Sequence, residues 1–170
     1  MKKKSLLILL AILLFSLSAC SVFKEKKSLY NYKTEYVGNA SATSNLVNML
    51  KFDHRLTYDF IKLDYYGDIN CLQLHFKSNT ENFDQDLKQN LFNNCAYLFA
   101  LIENLDEIKI FVNENQKFRA SKDYIEEKKI FNKTFAEYFE SEEFFYELQN
   151  QIKVLDSTAF IEGDIDKWLN

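Results

Sequence analysis

Leu87, Leu91, Cys95, Leu98, Ile102 and Leu105 recur at spacings of three and four, and Phe92 and Phe99 widen the stripe. That period predicts one long helix with a broad apolar face, the central core helix of whatever this chain builds. The segments around it have a different period. Thr57 to Tyr66 is rich in Tyr, Phe, Ile and Leu and reads as a strand. Ile69 to Lys77 reads as a second, with Leu72, Leu74 and Phe76 on one face and Cys71, Gln73 and His75 on the other. Gly67-Asp68 between them marks a hairpin. Glu107 to Asn113 alternates Ile108, Ile110 and Val112 and reads as a third strand. A short helix is expected over Ser41 to Leu50, capped by Ser41 or Thr43, after a turn at Tyr36-Val37-Gly38-Asn39.

Beyond the third strand the period is again helical. Ser121 reads as an N-cap, followed by Tyr124, Lys128, Phe131, Phe135 and Tyr138 on one helix. Ser141 caps a further helix carrying Phe144, Phe145, Leu148, Ile152 and Leu155, and Ile165, Trp168 and Leu169 suit a last turn. Pro is absent and Gly occurs three times, so Asn and Asp must make most of the turns. The expected class is α+β: a small antiparallel sheet of about three strands packed against helices, with a helical C-terminal part.

The N-terminus belongs to another physical regime. Lys2, Lys3 and Lys4 precede an apolar run from Leu6 to Leu17, and Ser18 and Ala19 lead to Cys20. This is the pattern of a secretory signal peptide. The apolar run of about a dozen residues is too short for a stable membrane span, which needs about 20. Leu17-Ser18-Ala19-Cys20 resembles the lipobox of bacterial lipoproteins. The resemblance implies that Cys20 receives a diacylglyceryl group on its thiol and becomes the first residue after cleavage. The expected organisation is a signal peptide over residues 1–19, a lipidated tether over 20–34 and one α+β domain over 35–170. Whether residues 131–170 belong to that domain or form a helical appendage is left open by the sequence.

Charge narrows the partners. Cleavage removes three lysines, so basic residues fall from 21 to 18 against 25 acidic, a net charge of −7. Such a surface stands off from an anionic leaflet. It also lacks the basic stripe that nucleic-acid binding requires, so no nucleic-acid partner is expected. The expected contacts are the membrane, through lipid on Cys20, and a protein or small ligand. The other two cysteines, Cys71 and Cys95, leave two alternatives: one disulfide in an oxidising compartment, or two buried thiols acting as small apolar groups.

Two stretches resemble a known family. Tyr36-Val37-Gly38-Asn39-Ala40-Ser41 with Asn45-Leu46-Val47-Asn48-Met49-Leu50 is similar to the opening of an uncharacterised family of Gram-positive extracytoplasmic domains. Asn94 to Ile108 is similar to its second hallmark. The resemblance spans roughly residues 32 to 130. The family occurs as small lipoproteins and fused to membrane metallopeptidases of the antibiotic-sensor type. It has no assigned activity, so it implies an extracytoplasmic sensing or accessory role and no particular site residue.

The search for chemistry returns no catalytic residue, no metal site and no cofactor. His54 and His75 are the two histidines, and neither lies in an HxxxH or CxxC spacing. His75 shares a strand face with Cys71, a weak ligand pair set against an ordinary sheet histidine. Glu140, Glu142, Glu143 and Glu147 cluster near a helix start and fit either a cation site or carboxylate pair, or negative charge that the helix dipole favours and that faces water. Phe131, Phe135, Tyr138, Phe139, Phe144, Phe145 and Tyr146 fit either an exposed aromatic groove or a helix buried on two sides. The expected function is therefore a non-catalytic binding or sensory lipoprotein; the alternative is an extracytoplasmic enzyme with an unrecognised active site.

Overall fold

The computed structural model describes residues 28–66, 68–80 and 82–157. Cys20, the signal peptide and the turn read at Ile165 to Leu169 lie outside the described residues, as does Gly67. A 3-10 turn, Leu29–Tyr32, leads into helix α1, Ala40–Met49. Strands β1, Thr57–Tyr66, and β2, Ile69–Lys77, follow, then helix α2, Gln85–Leu101. Strands β3, Glu107–Val112, and β4, Asn115–Ser121, complete the sheet. Helices α3, Lys122–Glu127, α4, Phe135–Glu140, and α5, Glu142–Ser157, close the described chain.

The sheet has four strands in the order β1-β2-β3-β4, one more than the alternation predicts. It is also mixed, whereas an antiparallel sheet was expected. β1 pairs antiparallel with β2, and β3 with β4, but β2 pairs parallel with β3. The reason is α2. A parallel pair needs a long crossover, and a helix of this length supplies one. β4 escapes the sequence because its turn carries no glycine. Asn113 and Glu114 both adopt positive φ, 50° and 66°, the geometry of a two-residue hairpin turn.

Alternation along the strands sorts the side chains. Leu72, Leu74 and Phe76 of β2, Ile108, Ile110 and Val112 of β3, and Phe118 and Ala120 of β4 face the core. The same core takes Leu87, Leu91, Cys95, Leu98 and Phe99 from α2. Asp84 caps α2, its side chain accepting from the Leu87 amide at 3.0 Å. Arg55 ties that cap to the start of β1, donating to Asp84 at 2.5 and 3.0 Å and to Asp53 at 2.8 and 2.9 Å.

Two boundaries differ from the sequence reading. α1 is capped by Asn39, not Ser41 or Thr43: its side chain accepts from the Ala42 amide, while the Thr43 hydroxyl donates to the Val37 carbonyl. The single helix expected from Ser121 to Tyr138 is broken. Lys129 takes a φ of 51°, a left-handed residue that terminates α3, and Thr134 opens α4 with a capping box to Glu137. The break leaves Phe131 in the turn between two short helices, buried beside Phe135 and Tyr138 of α4.

Those helices belong to the one core. Phe135 packs 5.4 Å from Phe99 and Phe131 lies 6.2 Å from Phe92, between ring centroids. Tyr138 is fully buried, and its hydroxyl accepts from the Lys133 amide and from Gln151 Nε2. Phe145 on α5 meets Tyr97 of α2 and Tyr30 of the N-terminal turn. The Tyr30 hydroxyl donates to the Phe139 carbonyl at 2.9 Å. Leu29, Tyr30 and Tyr32, inside the stretch read as tether, thus pack against the core, and Thr34 bridges to Ile102. Among the described residues no helix is long and apolar enough to cross a membrane.

Candidate binding surface

The other face of the sheet carries polar and aromatic groups in three rows. Register places Asp64, Cys71, Glu107 and Ser121 in the first. Lys62, Gln73, Lys109 and Arg119 form the second, and Phe60, His75, Phe111 and Gln116 the third. Phe60 is 48% exposed, and the side chains of Lys62 and Arg119 are 60% and 50% exposed. This face is open to solvent while its middle is not.

The third row is a continuous stack. The Phe60 and His75 rings lie 4.2 Å apart at 12°, and His75 and Phe111 lie 4.7 Å apart at 7°. Three strands contribute one ring each. His75 Nε2 is 3.2 Å from Gln73 Oε1, and Gln73 Nε2 donates to Asp64 Oδ2 at 2.7 Å. The carboxylate only accepts, so it fixes which end of the Gln73 amide points toward it. The amide oxygen is then left for the imidazole, and His75 must donate through Nε2. Burial, then Lys62, holds the His75 pKa below 6.5, against smaller opposing effects of Asp59 and Glu114. At pH 7 the ring is neutral, with Nδ1 as its acceptor. Ring NMR is expected to show the Nε2–H tautomer at pH 7 and a titration midpoint below 6.5. In Gln73→Ala the tautomer preference is expected to relax; an unchanged preference would exclude the amide as its cause.

The first two rows hold a buried carboxylate. Glu107 is 5% exposed and accepts from Arg119 Nε at 2.7 Å and from Arg119 Nη2, with Lys109 Nζ at 3.3 Å. Burial raises its pKa, but the Arg119 and Lys109 hydrogen bonds outweigh burial and hold it below the ordinary glutamate value. The Cys71 thiol donates to Glu107 Oε1 at 3.7 Å. Burial, then Glu107, pushes that thiol up to about 12, so it stays protonated at neutral pH. A protonated thiol is a poor nucleophile and a poor metal ligand.

The residues singled out in the sequence are dispersed. Cys71 lies on β2 and Cys95 within α2; both are free, buried thiols. His75 and Cys71 lie in different rows with Gln73 between them, so they do not converge as a ligand pair. His54 is exposed at the edge of the Asp53–Arg55–Asp84 ion-pair cluster, its Nδ1 3.4 Å from Asp53. Glu140 and Glu143 are exposed and Glu142 half-buried at the start of α5, while Glu147 pairs with Lys133 at 3.4 Å. Among the described residues no group of three or more His, Cys, Asp and Glu is arranged to hold a metal. The aromatic stretch is core at Phe131, Phe135, Tyr138 and Phe145, with Tyr146 left 50% exposed. Tyr146 and Met49 edge a groove of about 680 Å³ between α1, α2 and α5.

Sequence reasoning missed Phe60 and Phe111. The alternation of β1 and β3 contained both, but only the register of three strands makes them neighbours of His75.

No curated protein and no solved structure matches this chain. Residues 29–126 match the family described as "Domain of unknown function (DUF4825)". The match runs from the N-terminal turn into the last turn of α3 and takes in the whole sheet, its outer face included. It covers more than half of the 170 residues, and the chain belongs to the DUF4825 family.

Proposed function

We propose that this chain is an extracytoplasmic lipoprotein, held at the cell membrane by lipid on Cys20, whose domain binds a partner or ligand without catalysing a reaction. The anchor rests on the sequence of Lys2 to Lys4, the apolar run and Leu17-Ser18-Ala19-Cys20. The binding role rests on one observation. The outer sheet face exposes a ring stack and the cations Lys62 and Arg119, while its carboxylates Glu107 and Asp64 are more deeply placed. Around Lys62 and Arg119 solvent meets positive charge on a chain of net negative charge, while the exposed acids Asp59 and Glu114 flank the ring stack at His75, and such a local contrast steers a partner to one face. A sensory or accessory role fits a small tethered module of this kind.

The anchor is tested by intact mass and fractionation. The native chain is expected in the membrane fraction, starting at Cys20 and carrying added diacylglyceryl mass. Cys20→Ala is expected to lose that mass and the cleavage. A full-length, unmodified native chain would refute the lipoprotein reading. The binding role is tested by an activity screen on the same preparation, where substrate turnover would sink the non-catalytic reading.

A further inference from the structure

We propose that the outer edge of β1 is a self-complementary interface, through which two copies of this chain pair antiparallel about Leu63. β1 ends the sheet, and among the described residues no segment is paired to its outer side. An unpaired strand edge presents a row of N–H and C=O groups ready to accept another strand. The regular part of β1 is shorter than the strand. A register shift between Tyr58 and Phe60 places a bulge at Asp59 and leaves positions 60–66 as the even run. Its midpoint is Leu63.

A strand pairing with its own copy has two-fold symmetry, so each contact occurs twice. With Leu63 on the axis, Lys62 faces Asp64 of the second copy, and Asp64 faces its Lys62. Both lie on the outer face, where side chains directly opposite in an antiparallel pair interact. Leu63 meets its own copy on the face that packs against the core. Neighbouring axes fail. An axis on Lys62 or on Asp64 puts a charge opposite itself. An axis on Ile61 runs the ladder through the bulge at Asp59. The geometric midpoint and the electrostatic midpoint therefore coincide.

Charged side chains on edge strands also serve to repel pairing. Here the two charges are opposite in sign and two residues apart, which makes them attract in this register. Within one chain Lys62 Nζ already lies 3.9 Å from Asp64 Oδ2, which also accepts from Gln73 Nε2, so this register joins two such pairs into one square of four alternating charges rather than supplying partners to unpaired groups. The union joins both sheets into one, with the two outer faces on the same side.

Charge reversal tests the register. The purified full chain is followed by sedimentation equilibrium in density-matched detergent. The native chain is expected to dimerise, more weakly as salt rises. Lys62→Glu and Asp64→Lys are each expected to weaken dimerisation by about tenfold or more, because each homodimer brings two like-charge contacts. Mixing the two variants is expected to restore association, since Glu then faces Lys at one contact and Asp faces Lys at the other. A native chain that stays monomeric at every concentration overturns the proposal. A dimer indifferent to both substitutions overturns it, as does a mixture that fails to associate although circular dichroism shows both variants folded. Lys62 is largely exposed, so Lys62→Glu retains the fold, and the salt dependence of the native chain needs no variant at all.

Discussion

Replacing Phe135 with Ala is expected to destabilise the entire domain, sheet included, by about 3–5 kcal/mol. Phe135 is 1% exposed and stands where α4 meets α2, against Phe99, Phe131 and Tyr138. Truncation forfeits the ring's transfer from water and leaves a cavity among rigid rings that cannot collapse into it. The residue lies beyond position 126, where the family match ends. If α4 and α5 were an appendage, its loss would leave the sheet intact. The shared core predicts otherwise: without Phe131 and Phe135, the rings of Phe92 and Phe99 would lose their cover. Urea unfolding followed by tyrosine fluorescence and by circular dichroism is expected to give one coincident transition for native and variant, with the variant midpoint lower by about 1–3 M. A chain ending at Lys129 is expected to lose cooperative unfolding altogether. Two separate transitions, with only the first moved by Phe135→Ala, would show two independent units.

How far the sequence carried can be traced element by element. β1 and β2 have the bounds that their aromatic and β-branched content marks, because the alternation of a half-buried strand is a local property. The apolar stripe of α2 is also local, and it overruns the helix for an instructive reason. Ile102 and Leu105 continue the period and are fully buried, but the helix stops at Leu101, Ile102 is extended, and Leu105 packs from a turn in which its amide donates back to the Ile102 carbonyl. Burial was legible there and conformation was not. The tertiary choices lay further out of reach. The break at Lys129 needs a left-handed lysine, which no propensity favours. β4 offers only Phe118 and Ala120 as an inward pair. The candidate site was least legible of all. His75 is visible as a strand histidine, but its ring partners come from β1 and β3, and a one-residue slip of either strand would send them to the opposite face.

Glu107→Ala is expected to cost about 2–3 kcal/mol at pH 7, toward the lower end for a buried ion pair because Arg119 is half exposed. The loss is larger than that of a surface pair for a structural reason. Without the carboxylate, Lys109 and Arg119 stand on neighbouring strands with no anion between them, and the Cys71 thiol loses its acceptor. Acid should reproduce the same loss in the native chain. The folded pKa of Glu107 lies below the ordinary glutamate value of 4.5, so its contribution is full above that value and disappears as pH falls through the lower folded one. Asp53 follows at more acidic pH. Arg55 is the chief cause that lowers its pKa from 3.8 to about 2, so its contribution is full above 3.8 and is lost on the way down to about 2. Acid destabilisation is therefore expected to open below 4.5 with Glu107, the upper window, and to continue below 3.8 with Asp53 and with Asp84, which Arg55 also holds down. The stability gap between native and Glu107→Ala, measured by urea unfolding from pH 7 to pH 3, should shrink as the upper window is crossed. Glu107→Gln keeps the shape and an acceptor but not the charge. It should fall between the two at pH 7 and should share the flattened upper window of the alanine variant. A gap that stays constant over that range would mean that Glu107 acts through its packing alone, and the ion-pair account of the outer sheet face would fail.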